Sequence, residues 1–96
     1  MYAWVIYDIH KNKIRQRVAK RCKFYGLSRV QKSVFLGELK GKWLNSLYAE
    51  LSNGINHRTD RVYILPMRPS DFKRVRQCGM PPMLGETLPA GKTRFI

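Results

Sequence analysis

Asp8 closes an apolar run, and the next thirteen residues, 9–21, bring six Lys or Arg and no further acid. A carboxylate placed there has two chemistries open to it. It can end a strand and cap the helix that follows, accepting a backbone N–H in an interaction of about 1 kcal/mol. It can also help to hold a divalent cation. Magnesium is commonly bound by one or two carboxylates plus substrate oxygens and water, and phosphodiester hydrolysis uses such an ion to activate water and neutralise charge. One chain supplies one acid at this point. A two-fold axis near Asp8 would supply a second, and the pair would repel unless a cation or a proton lay between them.

The basic residues around Asp8 suggest its surroundings. Lys11, Lys13, Arg15, Arg17, Lys20 and Arg21 follow it, with Arg29 further on, in a chain of net charge +13 and pI near 10.4. Such a field repels itself and calls for an anionic partner, nucleic acid first and a membrane surface second. Arg15 and Arg17 lie two apart and point in different directions on a helix. Along a duplex with one charge per ~1.7 Å, spread cations reach successive phosphates. These seven residues are the candidate nucleic-acid contacts, the alternative being a solvated helix face.

Other features narrow the class. No apolar run approaches the roughly 20 residues of a bilayer span, and "MYAWVIYD" lacks the basic opening of a signal peptide. A cytoplasmic protein without a membrane partner is expected. Cys22 and Cys78 are 56 positions apart with no His at ligand spacing, so two reduced thiols are expected and zinc is not.

Positioning these residues requires strands and helices in a definite order. At 96 residues the chain forms one domain. Residues 2–8 are apolar on both alternating sets, with Tyr2, Trp4, Ile6 and Asp8 on one face and Ala3, Val5 and Tyr7 on the other. Residues 11–25 carry a helical stripe of Ile14, Val18, Cys22 and Tyr25, which Gly26 ends. Residues 27–39 read as one strand, bent at Gly37, with Val30, Lys32, Val34 and Leu36 on one face and Arg29, Gln31, Ser33 and Phe35 on the other. A second helix fits 41–53 through Leu44, Leu47, Tyr48 and Leu51, and a strand fits 60–66 before Pro66 limits pairing. A short strand is expected at 72–78. The core domain is then residues 1–79. Residues 80–96 form a Pro/Gly-rich arm, an ordered loop or a flexible one, with a last strand at KTRFI.

This order predicts an α+β, ferredoxin-like domain: an antiparallel sheet with two helices on one face. The other face keeps large apolar side chains, which a symmetric sheet-to-sheet homodimer would cover.

The spaced blocks Tyr7-Asp8-Ile9, Asn12-Lys13 with Arg15, Arg17, Val18, Ala19 and Lys20, Tyr25-Gly26-Leu27, Arg29-Val30-Gln31 with Ser33-Val34-Phe35, and Gly37-Glu38-Leu39 resemble the CRISPR-associated protein two family. The resemblance covers about residues 1–79. It implies a ferredoxin-like homodimer whose C-terminal strand adds to the partner's sheet. It also implies a role in spacer acquisition, bridging two dimers of the integrase, CRISPR-associated protein one, while holding duplex DNA. Some members are magnesium-dependent nucleases on RNA or DNA. The family's functional set falls on Tyr7, Asp8, Arg15, Arg17, Arg29 and Phe35, and all six residue types match. His10 departs from the pattern, standing where Ser, Thr or Pro is usual.

With that resemblance Asp8 becomes the candidate catalytic residue and metal ligand, with magnesium or another divalent cation shared by Asp8 of both protomers. Tyr7, Ser33 and Phe35 are candidate supports, and Tyr7 and Phe35 are expected to pack rather than stack on bases. Arg29, Gln31 and Ser33 are open to two roles, hydrogen bonding at the dimer interface or contacting substrate. His10 and His57 are expected at the surface, His10 as a lesser candidate proton carrier, and Trp4 and Trp43 as anchors in the core or interface. Three functions stay in view: a duplex-binding subunit of the integration complex, a magnesium-dependent endonuclease, and a basic RNA-binding or ribosomal domain. The last lacks the aromatic signature of the common RNA-recognition module.

Overall fold

A strand that is apolar on both faces belongs in the middle of a sheet, and helices with one apolar stripe can cover only one side of it. The computed structural model, which describes residues 1–79, packs the chain on that principle. Its elements run β1 Tyr2–Asp8, α1 Asn12–Phe24, β2 Ser28–Gln31, β3 Val34–Glu38, α2 Gly41–Asn53, β4 Arg61–Met67 and α3 Pro69–Phe72. The four strands form one sheet in the order β2-β3-β1-β4, with every neighbouring pair antiparallel. This is the expected ferredoxin-like arrangement. None of the described helices is long and apolar enough to cross a membrane.

Ala3, Val5 and Tyr7 of β1 and Phe35 of β3 meet Val18, Ala19 and Cys22 of α1 and Leu47 and Leu51 of α2 in the main core. The stripe read for α1 therefore faces the sheet as expected. In α2, Tyr48 leaves the stripe and is exposed, lining a groove along β4 with His57 and Tyr63. Burial of the Cys22 thiol in this core pushes its pKa up to about 12, so it packs as an inert apolar group. Cys78 is free and exposed.

Two sequence expectations are corrected. Residues 27–39 are two strands rather than one, because the chain reverses at Lys32–Ser33. Tight hairpins favour residues with positive φ, yet no non-glycine residue here has one. A register shift between Arg29 and Gln31 instead accommodates the reversal. Residues 72–78 form no strand. Pro69 stands in the first turn of α3, where a missing N–H costs nothing, and the amides of Asp71, Phe72 and Lys73 bond locally to Arg68 and Pro69 carbonyls. With those donors satisfied, Phe72 turns onto the sheet face that the long helices leave open. There it packs against Val30 and Leu36, stacks on Tyr2 at 4.9 Å and tilts against Trp4 at 6.2 Å. The expected terminal arm and strand lie outside the described residues.

Helix α1 ends in a Schellman motif: Leu27 N–H bonds to the Cys22 carbonyl at 3.1 Å and Gly26 N–H to that of Lys23 at 2.9 Å. Gly26 takes φ +89°, and Gly37 lies so close beneath it that a Cβ would stand 3.1 Å from the Gly26 carbonyl oxygen.

The start of α1 is held from a distance. Its N-cap residue, Lys11, has no capping side chain, so Asp8 does not cap the helix. Instead the buried Asp60 accepts the His10 N–H at 3.0 Å with one oxygen and the Asn56 N–H at 2.9 Å with the other. Those two backbone bonds, His10's first, lower the Asp60 pKa from its ordinary value.

Gly26→Ala should destabilise the fold by about 1–2 kcal/mol through left-handed backbone strain, and Phe72→Ala by about 3 kcal/mol through lost packing, both read by urea unfolding. Because the folded-state pKa of Asp60 is depressed, its contribution is complete above the unfolded carboxylate range near ~4 and fades as pH falls through the folded value. Asp60→Asn should therefore lower the urea midpoint clearly at pH 7, and the gap from the unsubstituted protein should narrow at pH 3.

Candidate nucleic-acid interface and acidic site

Strand alternation separates the two residues that the sequence places side by side. Tyr7 points toward the helices and Asp8 toward the open face. The Tyr7 ring stacks on Phe35 at 6.3 Å, and its hydroxyl donates to the Lys32 carbonyl at 3.4 Å. Burial raises the Tyr7 pKa, with the Arg29 guanidinium pulling the other way. Arg29 itself lies over the Phe35 ring at 5.2 Å. Tyr7 and Phe35 are thus packing residues, as expected. The face that carries Arg29 and Phe35 looks toward the helices and is not the open one.

Beside them lies a recess of 490 Å³ lined by Tyr7, Asn12, Arg15, Gln16, Arg29, Lys32 and Ser33. Three cations and no acid line it, so it is suited to an anionic group. Arg15 has a second task there. Its guanidinium donates to the Ile9 carbonyl at 2.9 Å, the His10 carbonyl at 3.2 Å and Asn12 Oδ1 at 3.3 Å, bracing the loop between β1 and α1. The sequence reading placed Lys32 on the face opposite Arg29; the turn at Lys32–Ser33 brings it to the recess. Asn12 and Gln16 were also missed. The available signal was the spacing of Asn12 from Arg15 at i, i+3 and from Gln16 at i, i+4, on one helical turn.

The remaining cations are dispersed. Lys13, Arg17 and Lys20 are exposed on α1 and Lys11 at its N-cap, and the Arg17 stem runs beside Gly54 at the end of α2. Arg21 is ion-paired with Glu50 at 2.6 Å. His57 Nε2 contacts the Ser52 carbonyl at 2.6 Å, and the His10 side chain is exposed.

Asp8 stands apart from the recess. On the open face it is exposed and is the register partner of Arg61, and the same face continues through Ile6, Tyr63 and Leu65, all exposed. Among the described residues no three His, Cys, Asp or Glu side chains gather as a metal-binding group. A single chain therefore offers an exposed carboxylate as one hard oxygen ligand, and a complete cation site needs donors from outside the chain.

Residues 1–75 match the family model for CRISPR associated protein Cas2. A relative from Chloroflexus aurantiacus, named CRISPR-associated endoribonuclease Cas2 2, is 39% identical over 64 residues, covering 67% of this chain and 75% of that protein. A CRISPR-associated endonuclease Cas1/endonuclease Cas2 fusion from Thermoproteus tenax is 36% identical over 55 residues, 57% of this chain and 21% of the fusion. The crystal structure of Streptococcus pyogenes Cas2 at pH 6.5 superposes with a TM-score of 0.71 at 28% identity, covering 82% of this chain and all of that one. Family match, relatives and shared fold agree with the spaced motifs from Tyr7 to Leu39, and the chain belongs to the CRISPR-associated Cas2 family.

Proposed function

We propose that the protein is a homodimeric subunit of CRISPR adaptation that binds duplex DNA in the cytoplasm and joins Cas1 during spacer acquisition. The observation that carries this reading is the exposed apolar part of the open sheet face, where Ile6 and Tyr63 lie unburied next to the Asp8–Arg61 pair and Leu65 lies unburied beyond them, opposite Trp4. Exposed aromatic and aliphatic groups on a flat sheet favour a self-complementary contact. Phe72 covers only the other end of that face. The outer edge of β4 has no strand partner among the described residues, and residues 92–96 of a second copy would suit it. The Thermoproteus tenax fusion, in which both activities are named in one chain, supports Cas1 as the partner.

In such a dimer the cations of α1 and the recess of Arg15, Arg29 and Lys32 lie on the side away from the shared face. They would meet the phosphate backbone, which positions a duplex without reading its sequence.

A second reading rests on the placement of Asp8 and on the endoribonuclease names of relatives. Sheet-to-sheet pairing would bring two Asp8 carboxylates toward one axis. A divalent cation bound there would supply Lewis-acid stabilisation of a phosphoryl oxygen. Asp8 from each chain would contribute an oxygen ligand, and the neighbouring Arg61 an exposed cation for the phosphate.

Three outcomes test these readings. Tyr63→Glu should convert the dimer to monomer in sedimentation; an unchanged dimer would place the interface elsewhere. Arg29→Glu should weaken duplex binding and reduce the slope of log affinity against log salt by ~0.9 per lost phosphate contact; an unaltered slope removes the recess from the footprint. Asp8→Asn should abolish magnesium-dependent cleavage while leaving duplex affinity equal or higher. Cleavage that survives the substitution excludes Asp8 as the ligand.

A further inference from the structure

The two helices carry a feature that neither Asp8 nor the basic recess uses. Where α1 ends and α2 begins, three aromatic rings meet at the surface. Phe24 and Tyr25 contact edge to face at 5.5 Å, and Tyr25 and Trp43 at 6.5 Å. Phe24 is 71% exposed and Trp43 45% exposed. Rings of this size are normally withdrawn from water, and the edge-on contacts leave much of each ring uncovered.

Cations are interleaved with the rings. The Arg21 guanidinium lies 4.3 Å from the Phe24 ring centre and 5.8 Å from that of Tyr25, and Lys42 Nζ lies 5.1 Å from that of Trp43. Lys20 shares the Phe24 side of α1 at i, i+4 spacing. Glu50, the acid that meets this group, is engaged by Arg21 at 2.6 Å, and its carboxylate raises the Tyr25 phenol. The Arg21–Glu50 pair ties α1 to α2, so Phe24 and Trp43 are held on a braced support.

We infer that Phe24, Tyr25 and Trp43, with Arg21 and Lys42, form a stacking platform for unpaired bases of single-stranded nucleic acid. Aromatic faces accept any base, while nearby cations neutralise the backbone, a combination that duplex binding does not need because paired bases hide their faces. Charge argues for a polyanion over a second copy of this chain, whose net charge is also +13. The platform stands roughly 18 Å along α1 from the Asn12 end of the recess. It is therefore separate from the recess, and shares with the proposed duplex footprint only the α1 cations Lys20 and Arg21, while its three rings lie outside that footprint.

The test is fluorescence anisotropy of labelled oligothymidylate, oligouridylate and a blunt duplex with the full chain and its variants. Phe24→Ala and Trp43→Ala should each weaken single-strand binding roughly tenfold, leaving duplex affinity unchanged. Phe24→Leu keeps apolar bulk without a ring and should behave like Phe24→Ala, whereas Phe24→Tyr should restore binding. Circular dichroism confirms that each variant is folded, and Phe24, being largely exposed, gives the variant least exposed to folding failure. Unchanged single-strand affinity in Phe24→Ala and Phe24→Leu overturns the platform. So does an equal loss on duplex and single strand, or loss of the dimer on substituting Phe24. Failure of Arg29→Glu to affect duplex binding overturns the recess alone.

Discussion

The position of β1 between β3 and β4 constrains the rest of the molecule. A central strand with large apolar side chains on both faces must have both faces covered, because water is a poor neighbour for either. The helices solve this for Ala3, Val5 and Tyr7. Phe72 and Val75 solve it for the Tyr2 and Trp4 end of the other face. Ile6 is left, at the same end as Asp8, and the unsolved part of the packing problem is where the candidate dimer contact falls.

That alternation also divides the chemistry. Tyr7 is drawn into the core with Phe35, and Arg29 follows by lying on the same ring. Asp8, one residue later, is turned to the far side of the sheet. The acid and the recess of cations are thus kept on opposite faces by the strand's period of two, so Arg15 and Arg29 of one chain do not surround its own Asp8. Arg15 contributes instead by holding the Ile9 and His10 carbonyls, while Asp60 takes the His10 amide. One long-range contact, from Asp60, and a local brace from Arg15 therefore fix the loop from which both surfaces diverge.

Local patterns were readable where a single period dominated. The alternation of residues 2–8, the stripe from Ile14 to Tyr25 and the stop at Gly26 each follow from geometry within a few residues, and each is found in the fold. The motif blocks from Tyr7 to Leu39 were enough to indicate the family. The reversal at Lys32–Ser33 was not readable, because neither residue carries the positive φ or the glycine that usually marks a hairpin. The α3 turn was hidden for a similar reason: alternation in 72–78 resembles a strand, and only the sheet surface beneath Phe72 rewards a helical turn.

By itself, then, the sequence determined the class of fold, the central two-faced strand, the cationic first helix and the candidate residues Asp8, Arg15 and Arg29. These depend on side-chain type and short-range spacing. Only the tertiary structure decided which candidates stand together. Lys32 joins the recess through a turn, and Asp60 reaches His10 across fifty positions of sequence. Tyr25 meets Trp43 only because α1 packs on α2. Contacts between distant residues arise from the burial that brings elements together, and no local period encodes them.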